Sequence, residues 1–168
     1  PLLLQNRRNN WFISETPVKE RVLKDSIEIN APVEKVWEFF DHLDVNYKSW
    51  HEDSHVTCRW LKGKPHEEGS IAYFEEILDG ILCKIKAITT KVEKYRLVET
   101  KSPFPVSLIH TKGVYLFESK GTSSVFTAIN HFRIPFLFNK KLLSLVAATE
   151  NHMKEEGENL KRILESKG

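Results

Sequence analysis

The chain has little of what marks several large protein classes. Its 168 residues include only two cysteines, one methionine, seven glycines and seven prolines. Two cysteines without CxxC spacing, Cys58 and Cys83, in apparent strands read as reduced, packed thiols in preference to a disulfide, in keeping with a cytoplasmic protein. Gly and Pro are too few for a collagenous or low-complexity chain. No run reaches the ~18 apolar residues of a membrane span, and the opening "PLLL" is shorter than a signal-peptide core. Charge of one sign is lacking as well: 25 Lys and Arg stand against 23 Asp and Glu, mixed along the chain, for a net +2. Without a basic block or an aromatic-basic stripe, neither nucleic acid nor an anionic membrane is an expected partner.

What remains is ordinary globular material, 40% hydrophobic and 29% charged. A chain of this length forms one domain and buries about two thirds of its unfolded surface. Residues 1–25 carry scattered apolar side chains without sustained period, and read as an N-terminal arm packed on a domain spanning 26–168. "SIEIN" (26–30) alternates like a strand. Asn30 is placed to cap a helix whose first turn accepts Pro32 and whose apolar face is Val33, Val36, Trp37 and Phe40, ending near Asp41. A short, helix-like "VNYKSWHED" precedes the strand "HVTCRWLKG".

Asp79-Gly80 separates two strand-like runs and fits a two-residue hairpin turn, since Gly accepts the positive φ needed there. Strands "RLVETKS", "IHTKGVYLFES" and "SVFTAINHFRI" follow, and a helix from about Phe138 to Glu165 closes the order. Consecutive strands with short turns form an antiparallel meander, and the long helix is the element large enough to cover its buried face. The fold class is α+β.

Leu142, Leu145, Val146, Thr149, Met153, Leu160, Ile163 and Leu164 mark the apolar stripe of that helix. His152 and Glu156, four apart, fall on the same stripe. A buried carboxylate is costly unless protonated, paired or bound to metal, and His and Glu at this spacing can share one ion. The hairpin supplies another acid. With Asp79-Gly80 as the turn, Leu78 faces Ile81, Glu76 faces Cys83 and Phe74 faces Ile85, so Glu76 points inward while Glu75 points outward opposite Lys84. "YKSWHEDSHV" offers His51 or His55 as a further ligand. Strand alternation with Val56, Cys58 and Trp60 packed would turn His55 away, although a first strand residue is weakly directed. Two imidazoles and two carboxylates suit Zn²⁺, and Fe²⁺ or Mn²⁺ less well. Asn130 falls inward if Phe126, Ala128 and Phe132 do, and Tyr115 is cavity-compatible. His42, His66 and His110 read as loop or surface histidines.

The element order together with "SIEINAPVEKVWEFF" resembles the START-like, polyketide-cyclase-like superfamily over about residues 26–165. That resemblance implies the helix-grip fold: a seven-stranded antiparallel sheet around the C-terminal helix, enclosing a cavity for a hydrophobic ligand. Three pieces, "YKSWHEDSH", "GSIAYFEEILDG" and "HMKEEGENL", look like the metal-binding segments of the zinc-dependent diacetylphloroglucinol hydrolase family. This narrower resemblance implies metal ligands at His55, Glu76, His152 and Glu156, a substrate-bonding tyrosine at Tyr47, and hydrolysis of a carbon–carbon bond between an acyl group and a phenolic ring. A departure is Cys58, where a polar substrate contact would stand. The alternatives are a non-catalytic carrier of a lipid or aromatic molecule, or a metal-free cyclase or dehydratase using His and Glu as acid and base. The sequence leaves a homodimer open.

Overall fold

The computed structural model describes residues 18–135 and 139–166. In chain order the elements are β1 (Val18–Ile29), α1 (Val33–Asp41), α2 (Leu43–Trp50), β2 (His55–Lys62), β3 (Ile71–Leu78), β4 (Ile81–Glu93), β5 (Leu97–Lys101), β6 (His110–Lys120), β7 (Ser123–Pro135) and α3 (Asn139–Glu165), with a short 3-10 turn at Val106–Leu108. The seven strands form one antiparallel sheet in the order β1-β7-β6-β5-β4-β3-β2. β1 and β2 are its edges, and α1 and α2 link them.

The first strand is longer than the alternation in "SIEIN" indicates. β1 pairs with β7 over its whole length, from Val18 opposite Pro135 to Ile29 opposite Ser124. Residues 18–25 therefore belong to the sheet and not to an arm packed upon it. Their apolar signal is weak because Val18 and Val22 are exposed and only Leu23 is buried. Here the backbone ladder holds the strand, with little help from a buried face. Residues 1–17 of the expected arm, and Phe138, lie outside the described residues.

Asn30 does not cap α1. Pro32 occupies the N-cap without a side-chain hydrogen bond, and its carbonyl accepts from the amides of Lys35 and Val36. The Asn30 backbone amide instead donates to Glu165 Oε1 at 2.7 Å, joining the end of β1 to the end of α3. α1 buries Val33, Val36, Trp37, Phe39 and Phe40. Phe40 stacks on Phe126 at 5.2 Å and meets Trp50 edge-on at 5.4 Å, so the helical layer is anchored to the sheet through aromatic contacts.

The β3–β4 hairpin has the expected register: Leu78 opposite Ile81, Glu76 opposite Cys83, Phe74 opposite Ile85. Asp79 (φ 51°) and Gly80 (φ 73°) both adopt the left-handed conformation that a tight two-residue turn requires. Glu75 lies outside with Lys84 Nζ at 3.6 Å. α3 runs along the concave face of the sheet with Leu142, Val146, His152, Met153 and Leu160 buried, which is the predicted stripe. Cys58 and Cys83 are free thiols. Among the described residues, no helix is long and apolar enough to cross a membrane.

A candidate metal centre inside the cavity

Between α3 and the sheet lies a cavity of about 350 Å³. Its walls are mostly apolar, from Phe74, Ile85, Phe132 and Leu142 among others, and Glu76, His152 and Glu156 reach it at one end. A groove of about 360 Å³ between the hairpin end and α3 approaches the same His152 from outside, with Glu155 on its wall.

His55 opens β2 and is fully buried. Simple alternation turns it outward, but the register of β2 against β3 slips between His55 and Thr57. The extra residue of this β-bulge puts His55 and Cys58 both inward, three positions apart, and leaves Val56 43% exposed. The alternation that packs Val56 beside Cys58 therefore fails. His55 pairs with Glu76 on β3, which in turn pairs with Cys83 on β4. One turn of α3 then brings His152 and Glu156 to the same point.

His55 Nε2 lies 3.1 Å from His152 Nε2 and 3.1 Å from Glu156 Oε1. His152 Nε2 is 3.6 Å from Glu156 Oε1 and 3.8 Å from Glu76 Oε2. The structure thus brings together all four residues named as ligands. Tyr47, buried on α2, donates its hydroxyl hydrogen to Glu76 Oε2 at 3.1 Å, and its ring stacks on the His55 imidazole at 3.8 Å. The Tyr47 carbonyl lies 2.8 Å from His55 Nδ1 and can only accept, so Nδ1 carries the proton. His55 Nε2 is left as a lone pair facing Glu156 Oε1 and His152 Nε2, so a proton on one of these or a shared cation must meet it.

Electrostatics fit that description. Burial, with the neighbouring Glu156 carboxylate adding to it, lifts Glu76 to about 7, and burial lifts Glu156 to about 7. Burial lowers His55 to about 4 and holds His152 below the usual imidazole range. Tyr47 stays protonated, because burial and then the Glu76 and Glu156 carboxylates disfavour its anion. Without a cation the cluster must keep protons on its acids or turn an Nε2–H of His152 toward His55 Nε2.

The donor set suits a metal. Zn–N and Zn–O bonds of about 2.0–2.1 Å in a tetrahedron put neighbouring donors roughly 3.4 Å apart. His55, Glu76 and His152 each offer a ligand atom within 4.8 Å of the other two, and Glu156 Oε1 approaches both histidines. The His55–Tyr47 carbonyl bond and the Tyr47–Glu76 bond are outer contacts of the kind that orient metal ligands.

His51 is placed differently. It is buried, stacks on His152 at 4.8 Å, and its Nε2 pairs with Glu155 Oε2 at 2.8 Å. It thus stands behind His152, toward the groove. Cys58 is buried but does not line the cavity among the described residues. Tyr115 and Asn130 do line it, as their strand positions indicate. His110, read as a surface residue, also lines the cavity, and burial lowers its pKa. His66 likewise belongs to the packed part of the molecule: it stacks on Trp37 at 3.8 Å and pairs with Asp41 Oδ1 at 2.7 Å. His42 is exposed.

No protein-family model and no curated protein sequence matches the chain. Solved structures do. A norcoclaurine synthase point mutant from Thalictrum flavum, in complex with a transition state analogue, superposes with a TM-score of 0.70 at 13% identity, covering 90% of this chain and 99% of that one. A START superfamily protein from Mycobacterium smegmatis gives 0.68 at 11% identity, covering 88% and 99%. A protein from Thermus thermophilus gives 0.69 at 13% identity, again covering 88% and 99%. At such identities the likeness speaks for architecture. The chain has the START-like, helix-grip fold: seven antiparallel strands curved around a long final helix, with a cavity between them.

Proposed function

We propose that the protein is a zinc-dependent hydrolase that cleaves the carbon–carbon bond between an acyl group and an aromatic ring in a small phenolic ketone. One observation carries the metal part: the unprotonated His55 Nε2 faces Glu156 Oε1 and His152 Nε2 at 3.1 Å each, an arrangement that a shared cation makes favourable. The largely apolar cavity supports an aromatic ligand. The fold likeness supports only the coarser reading, a protein that holds a small hydrophobic molecule.

His55, Glu76, His152 and Glu156 would hold the ion. Bound there, zinc would polarise a ketone oxygen and lower the pKa of water toward ~7. The chain's own residues position the rest. Tyr47, held protonated with its hydrogen on Glu76, accepts a hydrogen bond from the phenolic hydroxyl of the substrate. The largely apolar walls hold the aromatic ring and keep most water away from it. In the overall step water oxygen bonds to the acyl carbon and the bond from that carbon to the ring breaks. The ring carbon takes the proton that water gives up, and the acyl group leaves as a carboxylic acid.

Metal analysis after zinc reconstitution, with carboxylate release from 2-hydroxyacetophenone-type ketones followed alongside, tests this. About one equivalent of zinc and chelator-sensitive release are expected. Less than about half an equivalent after reconstitution would refute the metal reading.

A metal-free reading has its own support. Glu76 and Glu156 near 7 can each hold or release a proton at neutral pH, as acid–base catalysis requires. A norcoclaurine synthase structure of this fold (TM-score 0.67, 12% identity) is in complex with dopamine and hydroxybenzaldehyde. Turnover or tight ligand binding indifferent to chelators would favour this reading over the first.

A further inference from the structure

The cavity has a second polar end that the carboxylate–histidine cluster does not use. It is built on β6 and β7, three and four strands from β3 in the sheet. Ser102 Oγ lies 2.8 Å from His110 Nδ1, and His110 Nε2 lies 2.9 Å from Asn130 Oδ1. Since Asn130 Oδ1 can only accept, His110 Nε2 carries the hydrogen and Nδ1 accepts from the Ser102 hydroxyl. Burial keeps the imidazole neutral, consistent with that tautomer. This tautomer matches the Asn130 amide as it stands. Its oxygen is turned to His110 and its NH₂ group to Met153 and the cavity.

The NH₂ group is poorly satisfied. Its partner is the thioether of Met153, at 3.3 Å, a weak acceptor for one of two strong donors. Asn130 is half-buried, so the second amide hydrogen is open to the cavity. Gly113 shows that space is reserved here. A Cβ at that position would sit 2.8 Å from Thr100 Oγ1 and 3.3 Å from Asn130 Oδ1, so a larger residue would clash with Thr100 first and crowd the amide by a few tenths of an ångström.

We propose that Asn130 is a ligand-recognition residue, and that its amide donates a hydrogen bond to an oxygen on the end of the ligand remote from Glu76 and Glu156. His110 and Ser102 are positioning residues that set the amide. The cavity then selects an aromatic ring with oxygen at both ends over one with oxygen at the acyl end alone. This rests on the proposed function only for what occupies the other end.

The test compares two probes, 2,4-dihydroxyacetophenone and 2-hydroxyacetophenone, by quenching of tryptophan fluorescence, since Trp50 lines the cavity. Wild type should bind the 4-hydroxylated probe about tenfold more tightly, the worth of one buried hydrogen bond. N130L should abolish that preference while holding affinity for the other probe within about twofold. S102A, which keeps the amide but frees the imidazole tautomer, should reduce the preference roughly threefold and stay folded even where N130L does not. Each titration is run with zinc and after EDTA dialysis. The preference should persist without zinc, so a protein that ignores zinc but discriminates the probes through Asn130 sinks the metal reading and keeps this one. Equal preference in wild type, N130L and S102A overturns the proposal, as does failure of either probe to bind wild type.

Discussion

The Nε2 atoms of His55 and His152 face each other at 3.1 Å although the two residues are 97 positions apart. One comes from the first residue of an edge strand and the other from the middle of the last helix. Their approach turns two isolated imidazoles into a site, because Glu76 and Glu156 arrive within 3.8 Å of the same atom of His152.

Removing a ligand should empty that site. H152A and E156A should each weaken zinc binding by more than the roughly 100-fold that loss of an outer-shell partner brings. N151A, at an exposed neighbouring position, should bind as wild type does. Competition titrations against a chromogenic chelator measure this. Equal affinity in all three variants would mean that the cluster holds no ion.

Tyr47→Phe removes the hydrogen bond to Glu76 and leaves the ring stacked on His55. Zinc affinity should fall roughly tenfold, and turnover of a phenolic ketone by roughly 100-fold or more. The melting temperature should drop by only a few degrees, because a net hydrogen bond is worth about 1 kcal/mol. A Phe variant with wild-type turnover would take Tyr47 out of the chemistry.

Acidity offers a separate handle. Glu76 and Glu156 are raised from 4.5 to about 7, so their contribution to stability is present below pH 4.5 and lost as pH rises through 7. His55 is lowered from 6.5 to about 4, and its contribution runs the other way, present above 6.5 and lost as pH falls toward 4. The two trends oppose one another in mild acid. From pH 6.5 to 8 the carboxylates decide, and the metal-free protein should melt at progressively lower temperature. With zinc the trend should reverse, because binding displaces protons and tightens as pH rises. E76Q/E156Q should flatten the metal-free slope, and a slope that survives in this double variant would assign it to other groups.

Deleting Val56 should remove the bulge and leave unbroken alternation, with His55 two positions before Cys58, opposite Glu76 and still inward. Zinc binding should then stay near wild type. Deleting Val56 and Thr57 together should set His55 directly before Cys58, opposite Glu75 and outward, and zinc binding should fall to the level of H55A. Tight binding in the double deletion would show that strand direction at His55 is set by something other than its register with β3.

How far the sequence carries the reader depends on where the information lies. The Asp79-Gly80 turn fixes the register of β3 and β4 by itself, so the inward position of Glu76 follows from local chemistry. The α3 stripe is legible for the same reason: periodicity is a short-range property, and His152 and Glu156 stand on it openly. The bulge beside His55 has no such signature. It depends on how β2 meets β3, and alternation read within β2 alone misplaces Val56. β1 extends eight residues further than its pattern indicates because β7 supplies the ladder. His110 sits in a stretch with surface-like composition, and only its partners Ser102 and Asn130 reveal it as part of the interior.

The bond between the Asn30 amide and Glu165, and that between Lys161 Nζ and the Glu28 carbonyl, tie the last turns of α3 to the end of the first strand. Since α3 also carries His152 and Glu156, a nascent polypeptide owns only half of the cluster until α3 has been synthesised and has docked. An ion captured there would lock the finished molecule and not its precursors. At a free concentration 100 times Kd it would add about 2.7 kcal/mol to the folded state alone. Assembly and loading would then be a single event.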